Sequence, residues 1–469
     1  MAAVLGSSMA DTPPGWRNIK WHSEQRRVAM WDITYHCNLA CNHCYNEEYR
    51  GNHADEFLPQ GRSVEVVDGL AEDGFDEVNL LGGEPLSVPH VPRILQRGRK
   101  VGINVSITTN GLLLKEQLAE RFADLGFSRI AFSLAGLHED TNAAVRGRGV
   151  LERVLRNVRS FADLLARRGV PNETSINLSM TSLNQDELSG LYAFCCEWGL
   201  SAASVHLTQP MGAAGDRLDL IEADPRGVMD AYEAAIQTWG PGVALTLDTR
   251  PPAAHFLAYK FGLRQPLFRA DCPGGDQTVC VQPDGSRAAC RLQTMRKARL
   301  ATPRTDPCDG SLSSFVRWKS GVQKPMFCEG CRFIDVCAPC PLVARDERPP
   351  ECTVASERSE AYTGVLLDEP LHKVEAVAIV QSDDGRPALA LEGKRQRLSE
   401  SGLRTWRAID EGITPRQLVA QLLPGESNGT HVRDMIEFVQ ALRRAGLVRL
   451  SGDKQAQLPI RCVLVCCAR

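Results

Sequence analysis

Cys37-Asn38-Leu39-Ala40-Cys41-Asn42-His43-Cys44 spaces three thiols by gaps of three and two residues, with the aromatic Tyr45 directly after the third. A four-iron four-sulfur cluster ordinarily takes four Cys thiolates, so a CxxxCxxC loop falls one ligand short and leaves one iron open for chemistry. A structural zinc instead closes a tetrahedron of four Cys or His, usually from paired CxxC or HxxxH spacings. The segment also admits a zinc completed by His43 or His36, or three unrelated thiols.

The spacing, the Asn38 and Leu39 between the first two thiols, and the aromatic after the third resemble the radical S-adenosylmethionine (SAM) superfamily. The resemblance implies a 4Fe-4S cluster on Cys37, Cys41 and Cys44 whose open iron chelates the amino and carboxylate groups of SAM. An electron then splits the sulfonium, giving methionine and a 5'-deoxyadenosyl radical that abstracts a substrate hydrogen. The cofactor carries the hard chemistry and the protein supplies position.

At 469 residues the chain is too long for one typical domain and suits roughly two to four. With 43% hydrophobic and 24% charged residues it can bury sizeable cores, and a net charge of -3 gives no reason to expect nucleic acid. No apolar run approaches the roughly 18 residues needed to span a bilayer, and no signal peptide precedes residue 25, so no membrane partner is expected. The 17 Cys fall in clusters, which favours metal ligation in a reducing cytoplasm over a disulfide framework. Residues 1–24 are expected to be a flexible N-terminus.

Over residues 25–250 short apolar runs alternate with longer helical patterns, the signature of βα units around a parallel sheet. Strands are expected at 28–33, 77–81, 104–108, 129–134, 175–180 and 203–207. Leu151, Val154, Leu155 and Val158 recur at helical spacing between two of them. Six such units match the α/β (β/α)6 partial TIM barrel of the superfamily, and parallel α/β folds place function at the C-terminal strand ends.

Motifs fall there. Gly82-Gly83-Glu84-Pro85 follows the second expected strand; alone it reads equally as a turn, but it resembles the family's GGEP segment, in which backbone and carboxylate receive the SAM amino group. Asn110 ends the third strand. Ser133-Leu134-Ala135-Gly136 ends the fourth and resembles the SLDG of peptide-modifying members, with Ala135 replacing Asp. By resemblance Ser133 contacts the ribose or methionine part, and Arg146, before Gly147, pairs with the SAM carboxylate. A surface helix charge is the plainer reading of Arg146. Gln209-Pro210-Met211-Gly212 lies where relatives pack adenine, and Cys195 and Cys196 read as buried small hydrophobes.

A second Cys block runs from Cys272 to Cys352. Twelve residues separate Cys272 from Gly285 and four separate Gly285 from Cys290; then come Cys328-x2-Cys331-x5-Cys337-x2-Cys340 and Cys352. This resembles the SPASM domain, here 262–360, which houses two auxiliary 4Fe-4S clusters, and departs from it by one residue between Cys337 and Cys340. The resemblance implies one cluster on Cys328, Cys331, Cys337 and Cys352, and another on Cys272, Cys290 and Cys340 with Cys280 as fourth ligand or an open iron. A pair of zinc ribbons is the alternative. Cys308 and the tail cysteines Cys462, Cys466 and Cys467 fit no motif position, and residues 453–469 read as a tail with a terminal strand.

Residues 370–452 carry no Cys. Apolar stretches 374–380 and 388–391 flank the turn Asp383-Asp384-Gly385-Arg386 and read as a hairpin. Ser399 caps a helix bearing Leu403, Trp406 and Ile409; Thr414-Pro415 starts another; Thr430 starts a third with Met435, Ile436, Val439 and Leu442 on one face, closed by Gly446. This winged-helix pattern resembles the PqqD-like recognition element for ribosomally made peptides, whose leader adds as a strand to the sheet edge. A DNA-binding winged helix is the alternative; Asp434 and Glu437 oppose it, and Arg433, Arg443 and Arg444 keep it open.

The chain is therefore expected to be an oxygen-sensitive, cytoplasmic radical SAM maturase with three 4Fe-4S clusters and SAM. It would act on a ribosomally synthesised precursor peptide, draw electrons from a donor such as flavodoxin or ferredoxin, and most readily form an oxidative intrapeptide cross-link. Sulfatase-maturase-like oxidation, in which an Asp base stands where this chain has Arg291, and peptide epimerisation are the enzymatic alternatives. An iron-sulfur redox regulator binding DNA is the non-enzymatic one.

Overall fold

Alternation of apolar and polar residues builds the sheet. In the computed structural model of the chain, β1 (Val28–Thr34), β2 (Glu77–Gly82), β3 (Asn104–Thr109), β4 (Arg129–Leu134), β5 (Thr174–Met180) and β6 (Ala202–Leu207) pair side by side, all parallel. Each lies within one residue of its expected bounds. Ala29, Trp31 and Ile33 of β1 and Ala203, Val205 and Leu207 of β6 join one hydrophobic core, while Asp32, Thr34 and His206 alternate onto the opposite, inner face. The structure describes residues 27–49, 57–208, 211–217, 223–249, 251–261, 274–275, 277–291, 350–375, 377–382, 385–391, 394–422, 429–444, 446–450 and 460–464.

Helices cover the apolar face. They are α1 (Gln60–Glu72), α2 (Val91–Val101), α3 (Glu116–Leu125), α5 (Val150–Arg168), α6 (Leu191–Trp198), α7 (Pro225–Thr238) and α8 (Pro251–Phe261), while the short α4 (Glu139–Arg146) packs on α5. On α5, Leu151, Val154, Leu155, Val158, Phe161 and Leu165 are buried, as their spacing predicts. Each such side chain contributes about 1.5–3 kcal/mol of burial. Cys195 is buried on α6 as expected, but Cys196 is exposed, because the residue after an inward-facing one on a helix turns about 100° away.

The sheet extends beyond the six expected strands. β7 (Ala244–Thr249) runs parallel beside β6, β8 (Thr278–Val281) runs parallel beside β1, and β9 (Arg287–Ala288) pairs antiparallel with β8. The tail strand β15 (Ile460–Leu464) lies parallel against β7, so the ten-stranded order is β15-β7-β6-β5-β4-β3-β2-β1-β8-β9. Unpaired strand edges expose backbone donors and acceptors. Segments from the second Cys block and from the chain's last residues cover both edges of the βα sheet.

Helix α9 (Pro350–Asp368) spans two cores: Val354 and Ala355 pack into the first and Leu366 into the second. It is held to α7 by Arg358, whose guanidinium bonds Asp230 and Glu233, each at 2.6 Å. The second core joins β10 (Leu371–Lys373), antiparallel to β14 (Val448–Leu450), to a meander of β11 (Ala378–Gln381), β12 (Pro387–Leu391) and β13 (Lys394–Arg397). It is completed by α10 (Glu400–Ala408), α11 (Pro415–Leu422) and α12 (Gly429–Arg444).

The helix starts follow their caps. Ser399 Oγ accepts the Gly402 amide at 3.0 Å, and Thr414 and Gln417 form a reciprocal capping box. The hairpin begins at residue 378 rather than 374, and the charged β13 had no apolar signal. Among the described residues no helix is long and apolar enough to cross a membrane.

Candidate active site

The backbone of β1 and β2 converges at the Cys loop. The Gly83 amide donates to the Thr34 carbonyl and the Glu84 amide to the His36 carbonyl, both at 2.7 Å. A Cβ on Gly83 would stand 2.0 Å from the His36 carbonyl oxygen, and one on Gly82, whose φ is +116°, 2.5 Å from that of Thr34. Only glycine allows this approach, so the GG pair seats the residue immediately before Cys37.

Four further elements hold the loop. Asn42 donates through its backbone and side chain to the Val145 and Ala144 carbonyls at the end of α4, at 2.9 and 2.8 Å. Asn110, after β3, donates Nδ2 to Asn38 Oδ1 at 2.7 Å and lies 3.7 Å from Cys37 Sγ. His43 Nε2 is 3.2 Å from Ser179 Oγ on β5. The Ala213 amide donates to the Cys44 carbonyl at 3.0 Å, and a Cβ on Gly212 would lie 2.4 Å from that oxygen.

The loop suits an anionic iron-sulfur cluster. Cys37, Cys41 and Cys44 are half-buried, and the Leu39 amide points at Cys37 Sγ from 3.4 Å. Burial foremost pushes the Cys37 thiol up to about 11, so a bound metal would displace its proton and supply the missing counter-charge. Arg146 is 9% exposed, with Nε buried and without a hydrogen-bond partner. It is not the surface charge its sequence context allowed, and an orphaned guanidinium donor beside the loop fits a carboxylate ligand. Burial, and secondarily the Arg146 charge, holds His43 down to about 3, hence neutral.

Glu84 is fully buried and spends its carboxylate inside the chain. Oε1 accepts from Thr109 Oγ1 at 2.6 Å and the Leu86 amide at 2.9 Å, and Oε2 accepts the Asn110 amide at 2.8 Å. Burial raises its pKa, and these bonds together with Arg146 oppose the rise. Oε2 keeps acceptor capacity for a further donor. Pro85 opens the short turn after Glu84, and Ser133 lies half-buried on the inner face of β4.

A second group escaped the sequence reading. Asp32 is buried on the inner face of β1; its Oδ1 accepts from Tyr45 Oη at 3.1 Å and faces Arg291 Nη2 at 3.3 Å. The Arg291 guanidinium stacks 4.3 Å over the Tyr45 ring. Burial pushes the Asp32 carboxyl up, and Arg291 and the Tyr45 and Asn46 hydrogen bonds hold it down. Tyr45 follows Cys44 and Arg291 follows Cys290, so the two Cys segments are tied through one carboxylate.

Of the second Cys block, Cys280 is buried in β8 with its thiol pushed by burial up to about 11, and Cys290 and Cys352 are half-buried. Cys272, Cys328, Cys331, Cys337, Cys340, Cys308, Cys466, Cys467, Gln209 and Pro210 lie outside the described residues, as do residues 1–24. Among the described residues no three His, Cys, Asp or Glu side chains close on a single-ion site.

Residues 31–195 match the Radical SAM superfamily. The AdoMet-dependent heme synthase of Methanosarcina barkeri is 29% identical over 42% of this chain but only 55% of its own length. The PqqA peptide cyclase of Xanthomonas oryzae pv. oryzae is 24% identical over 64% of this chain and 79% of its own length. Streptococcus suis SuiB bound to the precursor peptide SuiA aligns with a TM-score of 0.53 at 16% identity, covering 69% of this chain and 75% of that one, a likeness of fold. The CxxxCxxC loop on β1, the GGEP turn on β2 and the parallel sheet that presents them identify residues 31–195 as a radical SAM domain, which implies a 4Fe-4S cluster and SAM.

Proposed function

We propose that the chain is a maturase of a ribosomally synthesised precursor peptide. The observation that carries this reading is the module after residue 370. Its three-stranded sheet ends in β11, an edge strand on which Ile379 is 47% exposed beside a compact core of strands and helices. An exposed apolar residue on a short sheet edge suits an added peptide strand, whose main chain supplies affinity and whose side chains fill pockets. The relation to a peptide cyclase points the same way.

When bound, SAM at the cluster supplies a 5'-deoxyadenosyl radical. Cys37, Cys41 and Cys44 hold the cluster, Arg146 and the Gly82–Pro85 segment orient SAM, and the polar inner face of the sheet receives the core peptide. Cys272, Cys290 and Cys340, with Cys280 or an open iron as the fourth position, and Cys328, Cys331, Cys337 and Cys352 would hold two auxiliary clusters, whose redox chemistry would make an oxidative cross-link the favoured product. Arg291, engaged with Asp32 and Tyr45, is no carboxylate base, which disfavours a sulfatase-maturase-like reaction. The electron donor is a flavodoxin or ferredoxin in a reducing cytoplasm.

Anaerobic co-expression with each short open reading frame beside the gene, followed by mass spectrometry, tests the reading. A peptide lighter by two hydrogens is expected. Reconstituted enzyme that forms no 5'-deoxyadenosine and modifies no peptide would sink it.

A further inference from the structure

Among the described residues, the inner face of the sheet carries a titratable pair outside the Cys loop and the group around Asp32. Val205 of β6 and Leu247 of β7 are register partners, and both join the core. One residue on, His206 and Asp248 therefore stand side by side on the inner face. His206 Nδ1 and Asp248 Oδ2 lie 3.4 Å apart, and the side chains are 39% and 14% exposed. An ionised carboxylate only accepts, so a neutral imidazole making this contact places its ring hydrogen on Nδ1 and its lone pair on Nε2. The strand backbone at Asp248 is fixed in turn by Tyr232 Oη, which donates to its carbonyl at 2.6 Å.

The pair stands at the working end of the sheet. Ser179 of β5 is the register partner of His206, and Ser179 Oγ touches His43 of the Cys loop. Neighbouring strands are about 4.8 Å apart, so the imidazole sits one strand beyond that contact. The chain leaving β6 soon reaches Gly212–Asp216, the segment clamped to Cys44 through Ala213. A histidine serving only to fill the core would be buried with both nitrogens paired. This one stands beside a carboxylate and is partly exposed.

We propose that His206, oriented by Asp248, is the proton acceptor for the bond-forming step on the peptide substrate. The inference rests on the maturase reading. Hydrogen-atom abstraction breaks a C–H bond of one substrate residue and leaves a carbon radical. Joining that carbon to the C–H, O–H or S–H group of a second residue makes one bond, breaks the other X–H bond, and releases one electron and one proton. An oxidised iron-sulfur cluster would take the electron, and His206 Nε2 takes the proton. Asp248 stabilises the imidazolium that results.

The test uses the holoenzyme and the peptide that gains a modification on co-expression, prepared fully deuterated. In His206→Gln, deuterium still enters 5'-deoxyadenosine, while cross-linked peptide formed per deuterium transferred falls roughly a hundredfold. Asp248→Asn gives a smaller fall, and added imidazole restores product in His206→Ala. Iron per chain and circular dichroism matching the unaltered chain separate this from misfolding. Product per deuterium equal to that of the unaltered chain overturns the inference, as does a parallel loss of both readouts without imidazole rescue. A product of unchanged mass also overturns it, because no proton is then lost. An unaltered chain that takes deuterium from no peptide overturns the maturase reading and this inference with it.

Discussion

Replacing Gly83 by Ala adds a single carbon at the closest approach of β2 to the Cys loop. The new Cβ would lie 2.0 Å from the His36 carbonyl oxygen, 2.5 Å from its carbon and 2.7 Å from the Tyr35 carbonyl carbon. All three are backbone atoms, so no rotamer change relieves the overlap, and the two chains must separate by more than an ångström. Gly83 does not have a positive φ, so steric contact alone is at issue. Overpacking of this kind costs about 1–3 kcal/mol, and stretching the Gly83–Thr34 and Glu84–His36 hydrogen bonds adds about 1 kcal/mol each. A loss of about 3–5 kcal/mol is expected in urea unfolding of the metal-free chain. Because His36 precedes Cys37, iron bound per chain after reconstitution should fall as well. Gly61→Ala is the control: nothing lies within 4 Å of its added carbon on α1, and better helix propensity should stabilise by up to about 1 kcal/mol. A Gly83→Ala chain as stable as the original, with full iron content, would refute the steric account of the motif.

Glu84→Gln keeps the shape but turns one acceptor into a donor, facing either the Asn110 amide or the Leu86 and Thr109 donors; metal-free unfolding should show a loss of about 1–3 kcal/mol. Arg358→Met removes the bonds to Asp230 and Glu233, but Lys260 still pairs with Glu233, so about 1–2 kcal/mol is expected rather than the larger cost of an uncompensated buried charge. Cys195→Ser buries a hydroxyl and should cost about 1–3 kcal/mol, whereas exposed Cys196→Ser should stay within about 0.5 kcal/mol. Ending the chain at residue 459 removes β15, and hydrogen-deuterium exchange should rise along Ala244–Thr249 with little change in β3 and β4.

The six central strands and their helices were legible because each encodes its own period: alternation on β1 and β6, three-to-four spacing on α5, and Ser or Thr caps at α10 and α11. The Cys loop and GGEP were legible as motifs because their residues are neighbours in sequence. What sequence hid was pairing at long range. β8 and β15 are short and apolar like any buried strand, and nothing in them specifies β1 or β7 as partner. β13 reads Lys-Arg-Gln-Arg and forms because β12 offers an open edge, so tertiary context overrides a polar sequence there.

The same distinction explains why the carboxylate that ties the two Cys segments was invisible. Asp32 and Arg291 are 259 residues apart, and either alone reads as an ordinary charge. The sequence did show that Arg291 occupies the position after Cys290, where a related chemistry uses an Asp. The fold supplies the consequence, because Asp32 on β1 projects from the inner face toward that position and Tyr45 offers its ring to the guanidinium. A carboxylate is thus present near the segment after all, but it comes from β1 and is spent on an ion pair. A group that transfers protons must be reachable by substrate and not already spent in this way, and among the described residues of this inner face the partly exposed His206 beside Asp248 suits that role, three strands beyond β3 and on the side of the sheet that β15 completes.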